Sequence, residues 1–304
     1  MGWGGMADLD YSQVRAVVAE SNVMIRQGVR YGLNAMGVRE IAETGSLTSA
    51  HQMCRESEID VLVLNSLLEE NDATFIVRDI RAGSLGKDPF LLTILVLAHP
   101  SEPQVKTAMS CGTDDLLLVP FAPEQMSNRL RGITERRRPF VVTHDYMGPD
   151  RRKAQREGVA SATQFNVPHP VRARATGVPS GRYFNQVDQF KETLGRERIR
   201  RLAHAVEYEF RDICGAGRDG SLTADILIPK LFKLESICEE LTARLPGVGA
   251  SVELITGFLA VCKKMKNNAS KVAYPDLEAA YNDAKRITNT YMSLPDIQRM
   301  AASA

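Results

Sequence analysis

The chain has 304 residues, of which 44% are hydrophobic and 25% are charged, a balance typical of soluble globular proteins. This composition excludes a wholly disordered or collagen-like chain, and the length favours two domains. Lys and Arg number 38 against 37 Asp and Glu, so the net charge of +1 points to no class of partner.

Targeting signals and metal motifs are absent from the sequence. No apolar run approaches the roughly 18–20 residues that a membrane-spanning helix needs. The first residues, Met1–Met6, lack the basic and apolar regions of a secretory signal. The five cysteines are scattered without a Cys-x-x-Cys pair, which indicates buried free thiols. We therefore expect a cytoplasmic protein with no membrane span, no metal and no cofactor.

The first 135 residues alternate short apolar runs with segments of helical periodicity. The predicted strands are 15–19, 38–42, 60–64, 91–98 and 115–119. The predicted helices are 22–36, 47–56, 73–81, 102–111 and 123–135. This alternation predicts a parallel sheet with helices on both faces, a doubly wound α/β fold of the flavodoxin-like (βα)5 type. In such folds the functional site lies at the carboxyl ends of the strands.

The pattern changes twice along the rest of the chain. Residues 136–183 are rich in Arg, Pro and Gly and have no apolar periodicity, which predicts a basic linker, because long structureless connections within one domain are uncommon. Residues 184–296 contain four amphipathic segments and predict an all-α helical bundle. The predicted domains are thus 14–135 and 184–296, with tails at 1–13 and 297–304.

Four stretches of the first domain form a recognisable pattern. They are VVAESN at 17–22, DVLVLN at 60–65, CGTDD at 111–115 and LVPF at 118–121. In this order and spacing they resemble the receiver domain of bacterial two-component response regulators, which has the CheY-like fold. The resemblance covers the first domain only, and it implies a signalling protein in a phosphorelay context. The alternative that the likeness reflects only generic packing of this fold stays open.

The resemblance also implies a site whose chemistry this sequence has lost. In that family three carboxylates hold Mg²⁺, one of them accepts a phosphoryl group, and a hydroxyl, a lysine and an aromatic residue bind or report it. The corresponding positions here are Glu20 and Ser21 for the acidic pair, Asn65 for the acceptor, Ala98 for the hydroxyl, Val119 for the lysine and Leu116 for the aromatic residue. One carboxylate in place of three weakens Mg²⁺ binding, and nothing replaces the cationic and hydroxyl partners of the phosphate. We therefore expect a pseudo-receiver that is no enzyme, with a cis peptide bond before Pro120.

Basic residues concentrate in and after the predicted linker. Between residues 151 and 201 there are twelve basic residues against four acidic ones, a local excess of +8. The basic residues of the linker include Arg136, Arg137, Arg138, Arg151, Arg152 and Lys153. Such a segment suits nucleic acid, an acidic partner or a membrane surface, but a solvated linker is the favoured interpretation, because few aromatic residues interleave for base stacking.

Two functional hypotheses follow. The first is a non-phosphorylatable adaptor that binds protein partners, or a second copy of itself, through the face formed by the fourth helix, fifth strand and fifth helix of the receiver-like domain. The second is a nucleic-acid-binding regulator that uses the basic linker and the helical domain. His204 lies on a predicted helix of the second domain, but it lacks the lysine and glycine that usually follow a phosphotransfer histidine. We expect an ordinary, partly buried histidine there.

Overall fold

The computed structural model describes residues 9–98, 100–152 and 163–294. The chain divides into two compact units. The first comprises the described residues up to 141 together with 146–191, and the second comprises 142–145 and the described residues from 192 onward.

A five-stranded parallel sheet with helices between its strands forms the centre of the first unit. The strands and the small hairpin that follows the third are β1 (Arg15–Ala19), β2 (Glu40–Thr44), β3 (Val61–Asn65), β4 (Leu67–Leu68), β5 (Asn71–Asp72), β6 (Leu92–Ala98) and β7 (Asp115–Val119). The helices are α1 (Val23–Ala35), α2 (Leu47–Glu56), α3 (Thr74–Ala82), α4 (Glu102–Ser110) and α5 (Pro123–Glu135). The strand order β2-β1-β3-β6-β7 confirms the predicted doubly wound α/β fold.

The apolar strands β3 and β6 bury the sheet in the interior of the first unit. The side chains from Val61 to Leu64 in β3 and from Leu92 to Leu97 in β6 are all buried, as expected of strands covered by helices on both faces. Alternate residues of these strands enter two separate apolar clusters, one on each face of the sheet. This packing aligns the strand ends, so that the loops after β1, β3, β6 and β7 meet at one edge.

The hairpin β4–β5 is absent from the sequence prediction. Its two turn residues, Glu69 and Glu70, have φ angles of 52° and 64°. A two-residue hairpin loop needs this left-handed conformation at both positions, which Asn and Gly adopt most readily. The turn therefore carried no recognisable sequence signal.

The predicted linker at 136–183 is wrong, because most of the described part of this stretch, all but residues 142–145, is folded into the first unit. Its elements are β8 (Phe140–Val142), β9 (Met147–Pro149), β10 (Gln164–Phe165), α6 (Pro170–Ala175) and the start of α7 (Ser180–Arg218). β8 pairs with both β9 and β10 in a small sheet. We call residues 136–141, 146–152 and 163–191 the post-α5 segment. Lys153 lies outside the described residues.

The second unit is helical, as the sequence predicts. It contains α7 from residue 192 onward, α8 (Ala224–Arg244), α9 (Glu253–Asn267) and α10 (Tyr274–Met292). Apolar side chains of all four helices form one core, among them Leu202, Leu234, Phe258 and Ile287. His204 is exposed on α7, not partly buried as expected. Within the described ranges, none of the helices is long and apolar enough to cross a membrane.

Candidate functional site

The sheet register brings the predicted site positions to one edge. Ala19 pairs with Leu64, so Glu20, which follows β1, and Asn65, the last residue of β3, lie at the ends of neighbouring strands. Ala98 pairs with Val119 at the ends of β6 and β7. Five of the positions named from the resemblance therefore share the carboxyl edge of the sheet, namely Glu20, Ser21, Asn65, Ala98 and Val119. Leu116 pairs with Leu95 and lies nearer the amino end of β7.

A direct hydrogen bond joins Glu20 to Asn65. The Asn65 amide Nδ2 donates to Glu20 Oε2 at 2.8 Å, and the backbone N–H of Asn22 donates to Glu20 Oε1 at 2.8 Å. The other side of the Asn65 amide, Oδ1, accepts from the backbone N–H of Leu67 at 2.9 Å. Since the N–H of Leu67 requires an acceptor, the amide orientation is fixed and its NH₂ faces the carboxylate. Glu20 is only 2% exposed, and both its oxygens are occupied.

The hairpin β4–β5 is tied to two neighbouring loops at the same edge. Ser21 Oγ donates to the carbonyl of Gly45 at 3.0 Å and accepts from the backbone N–H of Glu69 at 3.4 Å. The Glu69 carboxylate in turn accepts from the backbone N–H of Leu47 at 2.8 Å, at the start of α2. Glu69 was not foreseen as part of this site, because its role depends on the unpredicted hairpin turn.

The residues present do not fit the magnesium ion that the resemblance implies. Mg²⁺ requires several oxygen ligands, usually including carboxylates, but Glu20 is the one carboxylate of the acidic positions. The Asn65 amide presents its hydrogens to Glu20, where a cation would need an oxygen. The Arg26 guanidinium also lies nearby and donates to the Glu20 carbonyl at 2.5 Å. Within the described residues, no group of three or more His, Cys, Asp or Glu side chains is placed to hold a metal ion.

The phosphate-binding positions carry apolar side chains. Ala98 is exposed and Val119 is half-buried, and neither offers a hydrogen-bond donor from its side chain. Leu116 is half-buried and packs against the apolar cluster on one face of the sheet. The peptide bond between Val119 and Pro120 is cis. This edge therefore offers no side-chain cation or hydroxyl at the two positions where a phosphoryl group would need them.

No protein-family model matches the chain. The response regulator MprA of Mycobacterium bovis (strain BCG / Pasteur 1173P2) is 32% identical over 128 residues, which cover 41% of this chain and 53% of that protein. MprA of Mycobacterium ulcerans is 32% identical over 125 residues, covering 40% of this chain and 51% of that protein. The chain contains a receiver domain of the bacterial response-regulator family. It spans about half the length of the curated relatives it matches.

Solved structures of response regulators are similar to the receiver domain. An orphan response regulator of H. pylori has a TM-score of 0.35 and 17% identity, covering 40% of this chain and 96% of that one. The response regulator DrrB of Thermotoga maritima, an OmpR/PhoB homologue, has a TM-score of 0.37 and 21% identity, covering 43% of this chain and 57% of that one.

At the opposite edge of the sheet, three buried aspartates hold the post-α5 segment. Asp60 precedes β3, Asp88 lies shortly before β6, and Asp114 precedes β7. Their partners are Arg174 Nε to Asp60 at 3.2 Å, the Tyr183 hydroxyl to Asp88 at 2.7 Å, and Arg137 Nε to Asp114 at 2.8 Å. These contacts fasten the segment across the amino ends of the strands and explain why it belongs to the receiver domain.

Asp114 is the most heavily bonded of the three. Arg81, which is 2% exposed, donates from Nη2 to Asp114 Oδ2 at 2.8 Å, and the backbone N–H of Thr93 donates to the same oxygen at 2.9 Å. The guanidinium groups of Arg81 and Arg137 both stack on Phe140, at 5.1 and 4.9 Å from its ring centroid. Burial by itself would raise the pKa of Asp114, but the two arginines outweigh it and lower that pKa.

The basic residues of the predicted linker have different roles. Arg137 is largely buried against Asp114, and Arg152 pairs with Asp150 at 2.6 Å. Arg151 is half-buried and donates from Nη2 to the carbonyl of Thr113 at 2.5 Å. Arg136 and Arg138 are exposed. The solvated-linker interpretation thus fails for Arg137 and Arg151, which are part of the folded domain.

His169 stabilises the post-α5 segment as a neutral side chain. Its Nδ1 accepts the backbone N–H of Arg172 at 3.3 Å, at the start of α6, and its Nε2 lies 3.2 Å from the carbonyl of Ile133. The tautomer protonated at Nε2 satisfies both contacts. Burial, together with the charge of Arg137, lowers the pKa of His169 to about 4.

We expect acid to destabilise the receiver domain through His169. The pKa is lowered in the folded state, so between about 6.5 and 4 the unfolded chain binds a proton that the folded chain excludes. The stabilisation is complete above the unfolded pKa and is lost as the pH falls towards 4, by about 2 kcal/mol between pH 7.5 and 5. Urea titrations of the wild type and His169→Asn, which keeps an acceptor at the start of α6, measure this. Equal pH slopes for the two proteins would contradict the assignment.

Proposed function

We propose that the chain is a signalling adaptor of the response-regulator type, whose receiver domain acts by protein–protein interaction without being phosphorylated. A two-component or phosphorelay context is favoured by the similarity to MprA response regulators over 128 residues. The observation that supports the adaptor role is the hydrogen bond from Asn65 to Glu20. Here an amide, engaged with its neighbour, lies at the position where the family has the phospho-acceptor carboxylate. We propose no catalytic step for this domain.

The chemistry of the carboxyl edge supports this proposal. An amide nitrogen is a poor nucleophile, because its lone pair is delocalised into the carbonyl, whereas family function needs a carboxylate. The hydrogen bond to Glu20 further holds the Asn65 NH₂ away from any incoming group. Without a lysine at Val119, no side chain from β7 neutralises the charge of a transferred phosphoryl group. The receiver fold is retained without this chemistry, so the proposed function depends on the surfaces of the domain.

We expect no phosphoryl adduct when the full chain is incubated with acetyl phosphate and Mg²⁺. Intact-mass spectrometry measures the product, and Asn65→Asp alone should also stay unmodified, because it restores the acceptor but none of its partners. The fourfold variant S21D/N65D/A98T/V119K supplies the missing groups and serves as the control for reactive conditions. An acid-labile adduct on the wild-type chain would contradict the proposal.

The face of α4, β7 and α5 is the proposed docking surface, and we propose a second copy of the chain as its occupant. β7 is an edge strand of the sheet, and Leu118 on it is 50% exposed. Met109 on α4 is also exposed. Exposed edge strands with apolar side chains favour pairing with another chain.

We expect Leu118→Asp to abolish self-association of the full chain, because it places a charge on the exposed edge strand of this face. Sedimentation velocity over a concentration series measures the change. Leu67→Asp is the matched control, since Leu67 is similarly exposed, at 45%, but lies on the hairpin strand β4. A wild-type chain that stays monomeric, or equal effects of the two variants, would rule out this surface as a self-association site.

The nucleic-acid alternative has one observation in its favour, the exposed pair Arg136 and Arg138. Three other basic residues, Arg137, Arg152 and Arg174, are neutralised by aspartates within the domain. Nucleic-acid binding through phosphates would weaken steeply with added salt. A fluorescence-anisotropy titration with random duplex and single-stranded DNA at two salt concentrations tests this alternative. An affinity that does not change with salt would exclude it.

A further inference from the structure

A cavity of about 240 Å³ lies at the amino edge of the sheet in the receiver domain. It is open to solvent on one side and is lined by the start of β7, the end of α5, and residues in and after β9. Because parallel strands point the same way, this cavity is on the edge opposite Glu20 and Asn65. Five arginines and two aspartates line it, namely Arg129, Arg136, Arg137, Arg138, Arg151, Asp114 and Asp115.

The two aspartates neutralise two of the five arginines. Arg129 Nη1 lies 2.7 Å from Asp115 Oδ2, and Arg137 Nε lies 2.8 Å from Asp114 Oδ1. Asp114 is also paired with Arg81, which does not line the cavity. Among the described residues of the lining, three positive charges therefore have no carboxylate to balance them. The carboxyl end of α5 adds about half a negative charge, which is too little to reverse the sign.

The three remaining arginines have free hydrogen-bonding capacity. Arg136 and Arg138 are exposed, and among the described residues neither guanidinium group has an ion-pair or hydrogen-bond partner. Arg151 donates from Nη2 to a neutral acceptor, the Thr113 carbonyl. Its Nε is buried and has no hydrogen-bond partner within the described part of the chain. The positive charge that these three guanidinium groups leave unbalanced is the observation that favours an anionic ligand.

We propose that this cavity binds a compact anion with two or more phosphate groups, such as a pyrophosphate or the oligophosphate part of a nucleotide. Guanidinium groups match phosphate oxygens in paired hydrogen bonds, which favours phosphate over other small anions. The cavity is far larger than a single water or simple ion requires, but somewhat smaller than the roughly 300–1,000 Å³ of typical drug-sized sites.

A nucleic-acid strand fits this cavity less well than a small anion. The lining residues that the structure describes include no aromatic side chain on which a base would stack, and stacking supplies much of the affinity for single strands. The arginines also converge on a concave cavity, whereas a strand requires charges spread along its backbone. Anion binding would link the end of α5 to the residues after β9, so it would act on the receiver domain without using its carboxyl edge.

Isothermal titration calorimetry on the full chain tests the proposal, with inorganic pyrophosphate, ATP and inorganic phosphate as separate titrants at low salt. We expect one pyrophosphate per chain, with inorganic phosphate at least tenfold weaker. Similar affinities for pyrophosphate and ATP would show that phosphate groups alone are recognised, and tighter ATP binding would identify a nucleotide as the ligand. Absence of binding by both pyrophosphate and ATP would overturn the proposal.

Two surface variants locate the site without disturbing the fold. Arg136→Gln and Arg138→Gln should each weaken pyrophosphate binding about tenfold, because each removes a charge-assisted contact. Arg55→Gln is the matched control, since Arg55 is exposed on α2 and does not line the cavity. Equal losses in all three variants would overturn the proposed site. So would single-stranded DNA binding that depends on Arg136 while pyrophosphate fails to bind.

Discussion

Asp114→Asn is expected to lower the free energy of unfolding by about 3–5 kcal/mol, because it removes one partner of a buried ion-pair network. The substitution leaves the guanidinium groups of Arg81 and Arg137, which are 2% and 6% exposed in their side chains, without a carboxylate. Both guanidinium groups remain buried against Phe140, where water cannot solvate their unpaired charges. Urea denaturation at neutral pH, followed by circular dichroism, measures the change.

Asp115→Asn is the matched control for this prediction. Asp115 is the next residue, and its ion pair with Arg129 has side chains that are 31% and 39% exposed. Exposed pairs contribute less than about 1 kcal/mol, so this variant should unfold close to the wild-type midpoint. If the two variants lose stability equally, the buried network does not hold the post-α5 segment in the way the distances indicate.

Gly112→Ala is expected to destabilise the receiver domain by about 3 kcal/mol or more. Gly112 has a φ of +92°, a conformation that costs other residues roughly 1–2 kcal/mol. An added Cβ would also lie 2.5 Å from the carbonyl oxygen of Met147 in β9 and 3.0 Å from Arg81 Cγ. Since the first contact is with backbone, β9 would have to move, and the contacts of the post-α5 segment would loosen with it.

Gly83→Ala separates the two causes of this loss. Gly83 follows α3 with a φ of +77°, but nothing lies within 4 Å of a Cβ placed there. This variant should lose only the conformational part, about 1 kcal/mol. Thermal unfolding of the two variants compares them directly. Equal shifts in melting temperature would mean that the approach of β9 to Gly112 contributes nothing.

Much of the fold of the receiver domain could be predicted from apolar periodicity. The runs around Val61–Leu64 and Leu92–Leu97 are buried on both faces, and such runs are visible without coordinates. The ends of the strands agreed less well with the prediction, since β2 begins at Glu40, two residues after the predicted start. The hairpin at Glu69–Glu70 was missed, because its left-handed residues are not the Asn or Gly that usually mark such a turn.

Most residues of the candidate site could be predicted from the sequence, but their contacts could not. The sequence alone predicted, through its resemblance to receiver domains, that Glu20, Ser21 and Asn65 are altered site positions, because residue type and spacing are properties of the chain. It did not reveal that Asn65 donates to Glu20, since that hydrogen bond depends on the register of β1 and β3. For the same reason Glu69 had no visible role, because its contacts exist only once the hairpin has formed.

The charge balance shows most clearly what each level decides. Residue counts determine a net charge of +1 and a basic middle, and apolar periodicity determines an α/β domain followed by helices. Only the tertiary structure decides that Arg137 is buried against Asp114 while Arg136 and Arg138 stay exposed around a cavity. The reason is that long-range ion pairs leave no periodic trace in a sequence, because Coulomb attraction depends on distance in space and not along the chain.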